Sequence, residues 1–480
     1  MNNEIRKLEF YGGEWMSFIP FIVFLVLIVM TTFVAGSISD GALWIPAFMA
    51  LIVAFFFAKD KKYYSEIIIN GMASKEAIIP VVCWIFAGVF SRILRESGLA
   101  GGIAGMAASL GISGTFFVIV SFIASAIFAT ASGTGFGTIA AGMGVLYPAG
   151  VVLGAHPALL AGAIVSGGAF GDNLAPVSDT TICSATSQGI DVPGVVKSRL
   201  KYALTAAVIT IVGILAFGMM YRGDSGAVGT IEYNAAALIM LVPVAITIWV
   251  AIKTGDIIIA TTIGTVLAGL TAVFAGLIDF IQIDPGQEVT KRALFRVFGE
   301  GLDRTVDGVI YTGINSMIQV VILAILLFGS IAVMRAGQGD IKLLEAIGKI
   351  AQGPKGAEFS ISGMTIILSA LMGLNAPAIL AVGASFAKPL SRKHGISPYR
   401  TANLLDATSC TLVYSLPWTP AIIYTIGFTR DGIHPLTAME VTPFVFYAFA
   451  MLAVMFASII LGIGRNDNMD AKDIGKEQTV

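Results

Sequence analysis

The sequence predicts an all-α, polytopic integral membrane protein that consists of two inverted-topology repeats with broken or re-entrant helices. Three observations predict this fold: the chain is strongly apolar, its apolar residues recur in long runs, and two of its regions resemble each other. Hydrophobic residues make up 56% and charged residues 12% of the 480 residues, whereas soluble proteins carry about 25% charged residues. The net charge of -1 gives no basic field to attract nucleic acid, so that class of partner is excluded.

The apolar runs are long enough to cross a bilayer as helices. Because every backbone polar group must be paired inside hydrocarbon, helices are favoured over open strands. The predicted apolar segments are 18–36, 42–58, 77–96, 115–131, 137–153, 157–170, 202–221, 235–252, 256–280, 307–334, 361–387, 409–428 and 441–464.

Two regions of the chain match at a separation of about 240 residues, which indicates an internal duplication. Gly98 resembles Gly337, and the stretch that starts at Gly189 resembles the one that starts at Gly432.

Loop charge predicts that the two copies face opposite ways, because Lys and Arg accumulate in cytoplasmic loops. Lys197, Arg199 and Lys201 make one loop basic, whereas its counterpart over 430–440 is not basic. Conversely, residues 147–156 lack Lys and Arg, and their counterpart over 388–400 is basic.

These observations predict a layout of five parts and a place in the cell. The protein is expected in the cell (plasma or inner) membrane with both termini cytoplasmic and the lipid bilayer as its partner; a homodimer is left open. The parts are amino-terminal helices over 1–58, a first inverted repeat over 59–201, connecting helices over 202–301, a second inverted repeat over 302–464 and a cytoplasmic tail over 465–480.

The strongest polar signal runs from Gly167 to Thr181 and places two carboxylates and several hydroxyls in an apolar stretch. An acid at the bilayer centre costs roughly 2.5–3.5 kcal/mol on insertion scales, so these residues need partners. Pro176 lacks an N–H, which would free the carbonyl of Asp172 to face a ligand. An oxygen-rich cluster suits a hard cation. Alternatively, the motif is a loop at the membrane surface.

A second polar stretch lies in the second copy, where an acid again precedes hydroxyls and helix-breaking prolines. Upstream of each stretch a break is predicted, around Gly133 in the first copy and around Gly373 in the second. Such breaks mark discontinuous helices that bind ions or anionic groups, although glycines also serve close helix packing. The residues predicted to bind substrate in the second copy are Asn375, Asp406, Thr408, Ser409, Thr411, Tyr414 and Trp418.

The first polar stretch resembles the NhaC family of sodium/proton antiporters within the ion transporter superfamily. The resemblance depends on Gly-Asp-x-x-x-Pro-x-Ser-Asp-Thr-Thr over 171–181 and on the Ser/Thr/Gly break before it. It implies inverted repeats whose broken helices form a transport site, and it assigns Asp172, Ser178, Asp179 and Thr180 to cation binding. The full predicted cation site, with Na⁺ at Asp172 and Asp179, contains Asp172, Asn173, Ser178, Asp179, Thr180, Thr181, Ser132 and Thr134.

The predicted function is sodium/proton antiport by alternating access, in which Na⁺ and H⁺ compete for membrane-embedded aspartates. No cofactor is expected beyond these transported ions. The alternative is a sodium- or proton-coupled transporter or exchanger of a small organic acid or amino acid, because Asn375 and the aromatic residues after it offer more than a bare cation requires. An enzyme is disfavoured, since the sequence contains no metalloprotease, nucleophile-elbow or Walker A motif. A channel is disfavoured because a four-fold filter needs no inverted copies.

Overall fold

The computed structural model of the chain describes most of its length. The described residues are 6–35, 41–112, 114–176, 178–220, 235–254, 256–284, 293–299, 303–348, 352–430 and 434–466. The predicted tail over 465–480 therefore lies almost entirely outside the described residues.

Helices dominate the first half of the described chain. A 3₁₀ turn (Glu14–Phe18) leads into the first helix. The helices are α1 (Ile19–Ala35), α2 (Gly41–Phe57), α3 (Lys61–Met72), α4 (Lys75–Glu96), α5 (Leu99–Ser109), α6 (Gly114–Ser132), α7 (Gly135–Val152), α8 (Pro157–Leu174), α9 (Asp179–Gln188) and α10 (Val192–Met220).

The second half repeats this pattern after a connecting region. The connection contains a 3₁₀ turn (Ala235–Met240), α11 (Leu241–Thr254), α12 (Ile257–Phe274), β1 (Asp279–Asp284), β2 (Ala293–Phe298) and β3 (Thr305–Asp307). The helices that follow are α13 (Val309–Ala336), α14 (Gly339–Gly348), α15 (Gly353–Met372), α16 (Asn375–Val382) with a π turn (Gly383–Ala387), α17 (Lys388–Lys393), α18 (Pro398–Ser409), α19 (Leu412–Ser415), α20 (Pro420–Thr429), α21 (Ala438–Val441) with a 3₁₀ turn (Thr442–Phe444), and α22 (Phe446–Leu461).

The connecting region differs from its predicted all-helical form. The apolar run over 256–280 does not continue as one helix: α12 ends at Phe274, and Gly276 adopts a φ of +66° that no helix continues through. From Asp279 the chain forms a small sheet in which β1 pairs parallel with β2, and β2 pairs antiparallel with β3. The aromatic and β-branched residues of these segments favour strands.

The described helices are those of a polytopic membrane protein. Six of them are long and apolar enough to cross a membrane, and a seventh span is formed if the bent pair over Ala438–Phe444 and Phe446–Leu461 counts as one. The helix α8 is almost wholly buried inside the protein, so it lies at the centre rather than against lipid.

Helices α4 and α13 are the equivalent helices of the two repeats. Each is followed by a left-handed residue and a short helix, with φ of +76° at Gly98 and +59° at Gln338. In both places the left-handed residue donates its N–H to an arginine carbonyl, that of Arg95 or Arg335. The predicted match of Gly98 to Gly337 is therefore wrong by one residue, and Gln338 is the structural counterpart.

The two equivalent helices pack antiparallel. Gly71, at the end of α3 and four residues before α4, contacts Ala332 late in α13, whereas Gly88 within α4 contacts Gly313 early in α13. Equivalent helices that run in opposite directions are the mark of inverted repeats.

Loop contacts lead to the same conclusion. The Tyr147 hydroxyl donates to the carbonyl oxygen of His434 at 2.8 Å, which puts the loops over 147–156 and 430–440 on one side. The Tyr399 hydroxyl donates to Asp191, which puts the counterpart loops on the other side. The predicted inverted topology is confirmed.

Two of the arginines used in the loop-charge comparison point into the protein. Arg199 lies in α10 and Arg400 in α18, and both side chains are fully buried. Arg400 donates through Nε to Glu358 at 2.8 Å, and Glu358 also pairs with Arg465 at 2.7 Å. The prediction that these two arginines mark a cytoplasmic surface is wrong, because a charge near a helix end can also point into the protein and pair there.

Candidate functional site

Both predicted breaks interrupt the helices in equivalent places. The helix α6 ends before Gly133, at a φ of +70°, and α15 ends before Gly373, at a φ of +63°. Glycine adopts such values readily because it has no Cβ. The hydroxyl of Thr134 then caps α7 by accepting the N–H of Gly137 at 3.2 Å. Each break exposes helix-end carbonyls and amides inside the protein, which is how discontinuous helices form ion sites.

Pro176 causes a third break, between α8 and α9, and it changes the bonding of the Asp172 carbonyl as the sequence predicts. The N–H of Ala175 still donates to the carbonyl of Gly171 at 2.7 Å. The next residue is a proline with no N–H, so the Asp172 carbonyl loses its helical partner. It accepts the Thr180 hydroxyl instead, at 3.0 Å. In this structure the freed carbonyl thus binds a hydroxyl within the motif.

The Asp172 carboxylate is buried, with 6% of the residue exposed, and it gathers donors from both repeats. Its Oδ1 accepts the Ser178 hydroxyl at 2.8 Å. Its Oδ2 accepts the Tyr414 hydroxyl at 2.7 Å and the Asn375 side-chain amide at 3.2 Å. These three donors are all neutral. Two carboxylate oxygens offer about four lone-pair positions, so acceptor capacity remains for a cation or a proton.

Helix geometry places this cluster. Asn375 is the first residue of α16, and Ser178 is the N-cap residue of α9. Because amide groups at a helix N-terminus favour a negative charge, these two helix starts stabilise the Asp172 carboxylate without a cationic side chain. A Cβ at Gly135 would lie 2.1 Å from the Tyr414 hydroxyl oxygen, so the start of α7 approaches the cluster only because that position is glycine.

Asp179, the second predicted sodium ligand, lies on the first turn of α9, and its side chain is exposed. It follows Ser178, whose hydroxyl donates to the Asp172 carboxylate at 2.8 Å. The predicted pair of aspartates therefore consists of one enclosed carboxylate and one that is exposed in this structure.

Asp406 forms a different cluster. Its Oδ2 lies 2.6 Å from Nη1 of Arg199, and both side chains are fully buried. Its Oδ1 accepts the side-chain amide of Asn173 at 3.2 Å, and its Oδ2 accepts the hydroxyl of Ser184 at 3.3 Å. The charge of Asp406 is thus compensated inside the protein.

Arg199 connects this second cluster to the break after α8. It donates through Nη1 to the backbone carbonyl of Asn173 and to the hydroxyl of Thr181, the latter at 3.1 Å. Through Nε it donates to Asn403 at 3.2 Å. Sequence reasoning placed Arg199 in a loop and missed this role. Arg199 lies four residues after Val195, which is buried, so both side chains lie on the same face of α10. This spacing is the sequence signal that Arg199 faces inward.

Asp406 is not the counterpart of Asp172 in the second repeat. Pro417 and Thr419 follow Pro176 and Ser178 at a constant separation of 241 residues, and Thr419 caps α20 as Ser178 caps α9. The same separation puts Val413 opposite Asp172. Treating the two acid-containing stretches as equivalent is therefore wrong; the repeats are asymmetric in charge.

Of the residues predicted to bind substrate in the second copy, some contact Asp172 and others do not. Tyr414 and Asn375 contact Asp172, as described above. The hydroxyls of Ser409 and Thr411 donate to carbonyls of their own segment, those of Asp406 and Thr408, at 2.8 and 2.6 Å, and Thr408 donates to Leu404. Trp418 is half-buried against the core. The side chain of Ser132 lies outside the described part of the chain.

Within the described ranges, no group of three or more His, Cys, Asp or Glu could hold a metal ion. The carboxylate of Asp172 and the hydroxyl oxygens of Ser178 and Tyr414 suit a hard monovalent cation, and the carboxylate can take a proton instead.

Inverted repeats, interrupted helices and a buried carboxylate where the interruptions meet define the architecture of a secondary transporter. The chain belongs to the Na⁺/H⁺ antiporter family, whose model matches residues 12–219 and again residues 216–463. The two matches meet near residue 218 and correspond to the two halves of the molecule. The protein is a transporter and not an enzyme.

Named relatives agree with this class. The Na⁺/H⁺ antiporter NhaC of Alkalihalophilus pseudofirmus is 23% identical over 458 residues, which are 89% of this chain and 92% of the relative. The malate-2H⁺/Na⁺-lactate antiporter of Bacillus subtilis is 27% identical over 219 residues, 45% of this chain and 46% of the relative. The chain thus matches about half the length of that second relative. The crystal structure of the YdaH transporter from Alcanivorax borkumensis aligns with a TM-score of 0.42 at 12% identity, covering 85% of this chain and 90% of that one.

Proposed function

We propose that this protein exchanges Na⁺ for H⁺ across the cell membrane at Asp172, with no resident cofactor. The observation behind the proposal is that the Asp172 carboxylate is buried among neutral donors from both repeats. A buried acid without a cationic partner is costly when ionised, and either a sodium ion or a proton removes that cost.

Competition between the two ions follows from this arrangement. Sodium requires the ionised carboxylate, and protonation occupies the same oxygens. Asp179, which is exposed and follows the Ser178 that bonds to Asp172, attracts the arriving cation. Because the site holds either Na⁺ or H⁺ and faces each side of the membrane in turn, the two ions are carried in opposite directions.

Flux in liposomes tests the proposal. In vesicles that contain the full-length protein and a pH-sensitive dye, an inward Na⁺ gradient should drive proton efflux, whereas an equal K⁺ gradient should not. Because one proton competes with one sodium ion, the apparent Na⁺ affinity should fall about tenfold for each unit of decreasing pH once protonation dominates.

The variant Asp172→Asn keeps the shape of the side chain but removes the exchangeable charge, so Na⁺-driven proton flux should disappear while the protein remains folded. Asp279→Asn is the control, since Asp279 is an exposed residue of β1, outside the interrupted helices. Normal Na⁺-driven flux in Asp172→Asn would reject the proposal.

We also propose that both termini are cytoplasmic. The contacts of Tyr399 with Asp191 and of Tyr147 with His434 support the pairing of loops, and the exposed Lys201 and Lys393 favour the cytoplasm for the first pair. Single cysteines at positions 201 and 434 should react with a membrane-impermeant reagent from opposite sides. Labelling of position 201 from outside the cell would reverse the orientation.

A further inference from the structure

Cys410 lies between the two buried carboxylates of the molecule. It follows directly after α18 and is fully buried. Its sulfur accepts the side-chain amide of Asn375 at 3.2 Å, and the same amide nitrogen donates to Oδ2 of Asp172 at 3.2 Å. The thiol itself donates to Oδ1 of Asp406 at 3.8 Å. Cys410 therefore connects the Asp172 cluster to the Asp406 cluster.

These contacts fix the orientation of the Asn375 amide. The amide nitrogen carries two hydrogens, and here one is directed to Asp172 and the other to the sulfur of Cys410. The carbonyl oxygen of the amide is consequently turned away from the carboxylate. If the amide rotated by half a turn, its oxygen would face a negative oxygen of Asp172, and the carboxylate would lose a donor. The sulfur is thus a second acceptor that favours the donating orientation.

Asp406 in turn orients the thiol. A thiol has a single hydrogen, so its donation to Asp406 leaves the sulfur lone pairs for the amide of Asn375. Arg199, with Nη1 at 2.6 Å from Oδ2 of Asp406, favours the charged form of that carboxylate. Sulfur is a weak acceptor, but the fully buried position of Cys410 shields it from competition by solvent.

Charged and titratable side chains lie around Asp172 on four elements of the described chain. They are Asp179 on α9, Tyr414 on α19, Asp406 and Cys410 at the end of α18, and Arg199 on α10. Tyr414 donates to the carboxylate directly. Among these side chains, Cys410 is the one that contacts the amide of Asn375.

We propose that Cys410 is a positioning residue of the cation site, which holds the Asn375 amide in the orientation that donates to Asp172. Removing the sulfur frees the amide to rotate and weakens its bond to the ionised carboxylate. The protonated carboxyl is then favoured, so H⁺ competes better with Na⁺. This inference rests on the exchange function proposed above and adds a residue that sets the balance between the two ions.

Infrared titration of the full-length protein measures this effect without requiring transport. The band of the protonated Asp172 carboxyl is identified by its absence from Asp172→Asn, and its midpoint is the pH at which half of this carboxyl is protonated. In Cys410→Ala the midpoint should rise by about 0.5–1 unit, a roughly three- to tenfold increase in proton affinity. Cys83→Ala is the control, since Cys83 lies on α4, outside this cluster. An unchanged midpoint in Cys410→Ala would overturn the proposal.

Two further substitutions at Cys410 separate the hydrogen bond from packing. Cys410→Ser should keep the midpoint near that of the unsubstituted protein, because a hydroxyl also donates and accepts. Cys410→Val fills the space of the thiol with apolar methyl groups and should raise the midpoint as Cys410→Ala does. A normal midpoint in Cys410→Val would show that Cys410→Ala acts through a cavity and would reject the positioning role.

A double-variant cycle tests whether Cys410 acts through Asn375. The variant Asn375→Ala has no amide to orient, so adding Cys410→Ala to it should leave the midpoint where Asn375→Ala alone puts it. A further rise in the double variant would show that the thiol acts on Asp172 by another route, which contradicts the proposal.

Na⁺-driven proton flux in vesicles separates this inference from antiport itself. Under conditions where H⁺ competes, the apparent Na⁺ affinity of Cys410→Ala should fall by the same three- to tenfold, while the maximal rate is kept. If the unsubstituted protein shows no such flux but the midpoints shift as expected, antiport fails and the positioning role stands. If flux depends on Asp172 while all cysteine variants share one midpoint, antiport stands and the positioning role fails.

Discussion

Asp172 and Asp406 are both buried carboxylates at the centre of the molecule, but their surroundings differ in charge. Asp406 lies 2.6 Å from a guanidinium nitrogen of Arg199, whereas the three donors of Asp172 are neutral groups. A carboxylate that already has a permanent cation has little to gain from binding another. The difference separates a carboxylate that is neutralised within the protein from one that is left available for the ion binding proposed above.

The surroundings of the two aspartates differ because the two repeats are asymmetric in charge. Val413 occupies the position that corresponds to Asp172, so the second repeat supplies no equivalent carboxylate at its own break. It supplies donors instead, through Asn375 and Tyr414. The proposed ion site is therefore assembled from two repeats, and ion binding there would depend on how the repeats are placed relative to each other.

The largest expected effect concerns Arg199. Arg199→Gln would leave Asp406 buried without its cation, which should lower the free energy of unfolding by roughly 3–5 kcal/mol. Thermal unfolding of the purified protein in detergent measures this loss. The double variant Arg199→Gln with Asp406→Asn should recover most of it, because both charges are removed together.

If the two aspartates were equivalent, Asp172→Asn combined with Arg199→Gln would also restore stability. We expect no rescue from that pair. Rescue by Asp172→Asn and none by Asp406→Asn would contradict the assignment of Arg199 to Asp406.

A smaller effect is expected at Tyr414. Tyr414→Phe removes a hydroxyl that donates to the Asp172 carboxylate at 2.7 Å. Losing a hydrogen bond to a charged group costs roughly 1.5–3 kcal/mol, so the apparent affinity for Na⁺ in liposome exchange should fall at least about tenfold. Tyr424→Phe, on the next helix, is the matched control, since the Tyr424 ring is also buried but packs against Trp84. Equal losses in both variants would indicate a general packing effect.

The smallest effect is expected at Thr180, whose hydroxyl satisfies the carbonyl that Pro176 leaves free. Thr180→Val should reduce stability by about 0.5–1.5 kcal/mol, the net value of a neutral hydrogen bond. Thr425→Val is a suitable comparison because the Thr425 hydroxyl donates to a carbonyl of its own helix, that of Ala421, at 2.8 Å. The Ala421 carbonyl keeps its helical amide partner, so Thr425→Val should lower the free energy of unfolding by less than Thr180→Val. A larger loss of stability in Thr425→Val than in Thr180→Val would show that the freed Asp172 carbonyl has little influence on stability.

The sequence by itself determined the helices, the breaks and the inverted repeats. Long apolar runs can only be helices in a bilayer, Gly133, Gly373 and Pro176 interrupt them for local steric reasons, and the Asp172 carbonyl loses its partner because of one proline four residues later. Ser178 and Thr180 bond to Asp172 within a single motif. All of these relations are short in sequence, so backbone chemistry is enough to predict them.

Only the tertiary structure decided which carboxylate is compensated. Arg199 is 207 residues from Asp406, and Asn375 and Tyr414 are 203 and 242 residues from Asp172. A basic residue near a helix end has the same local sequence whether it faces the cytoplasm or the core. The side of the helix that is buried depends on the helices packed against it, and those come from the other half of the chain.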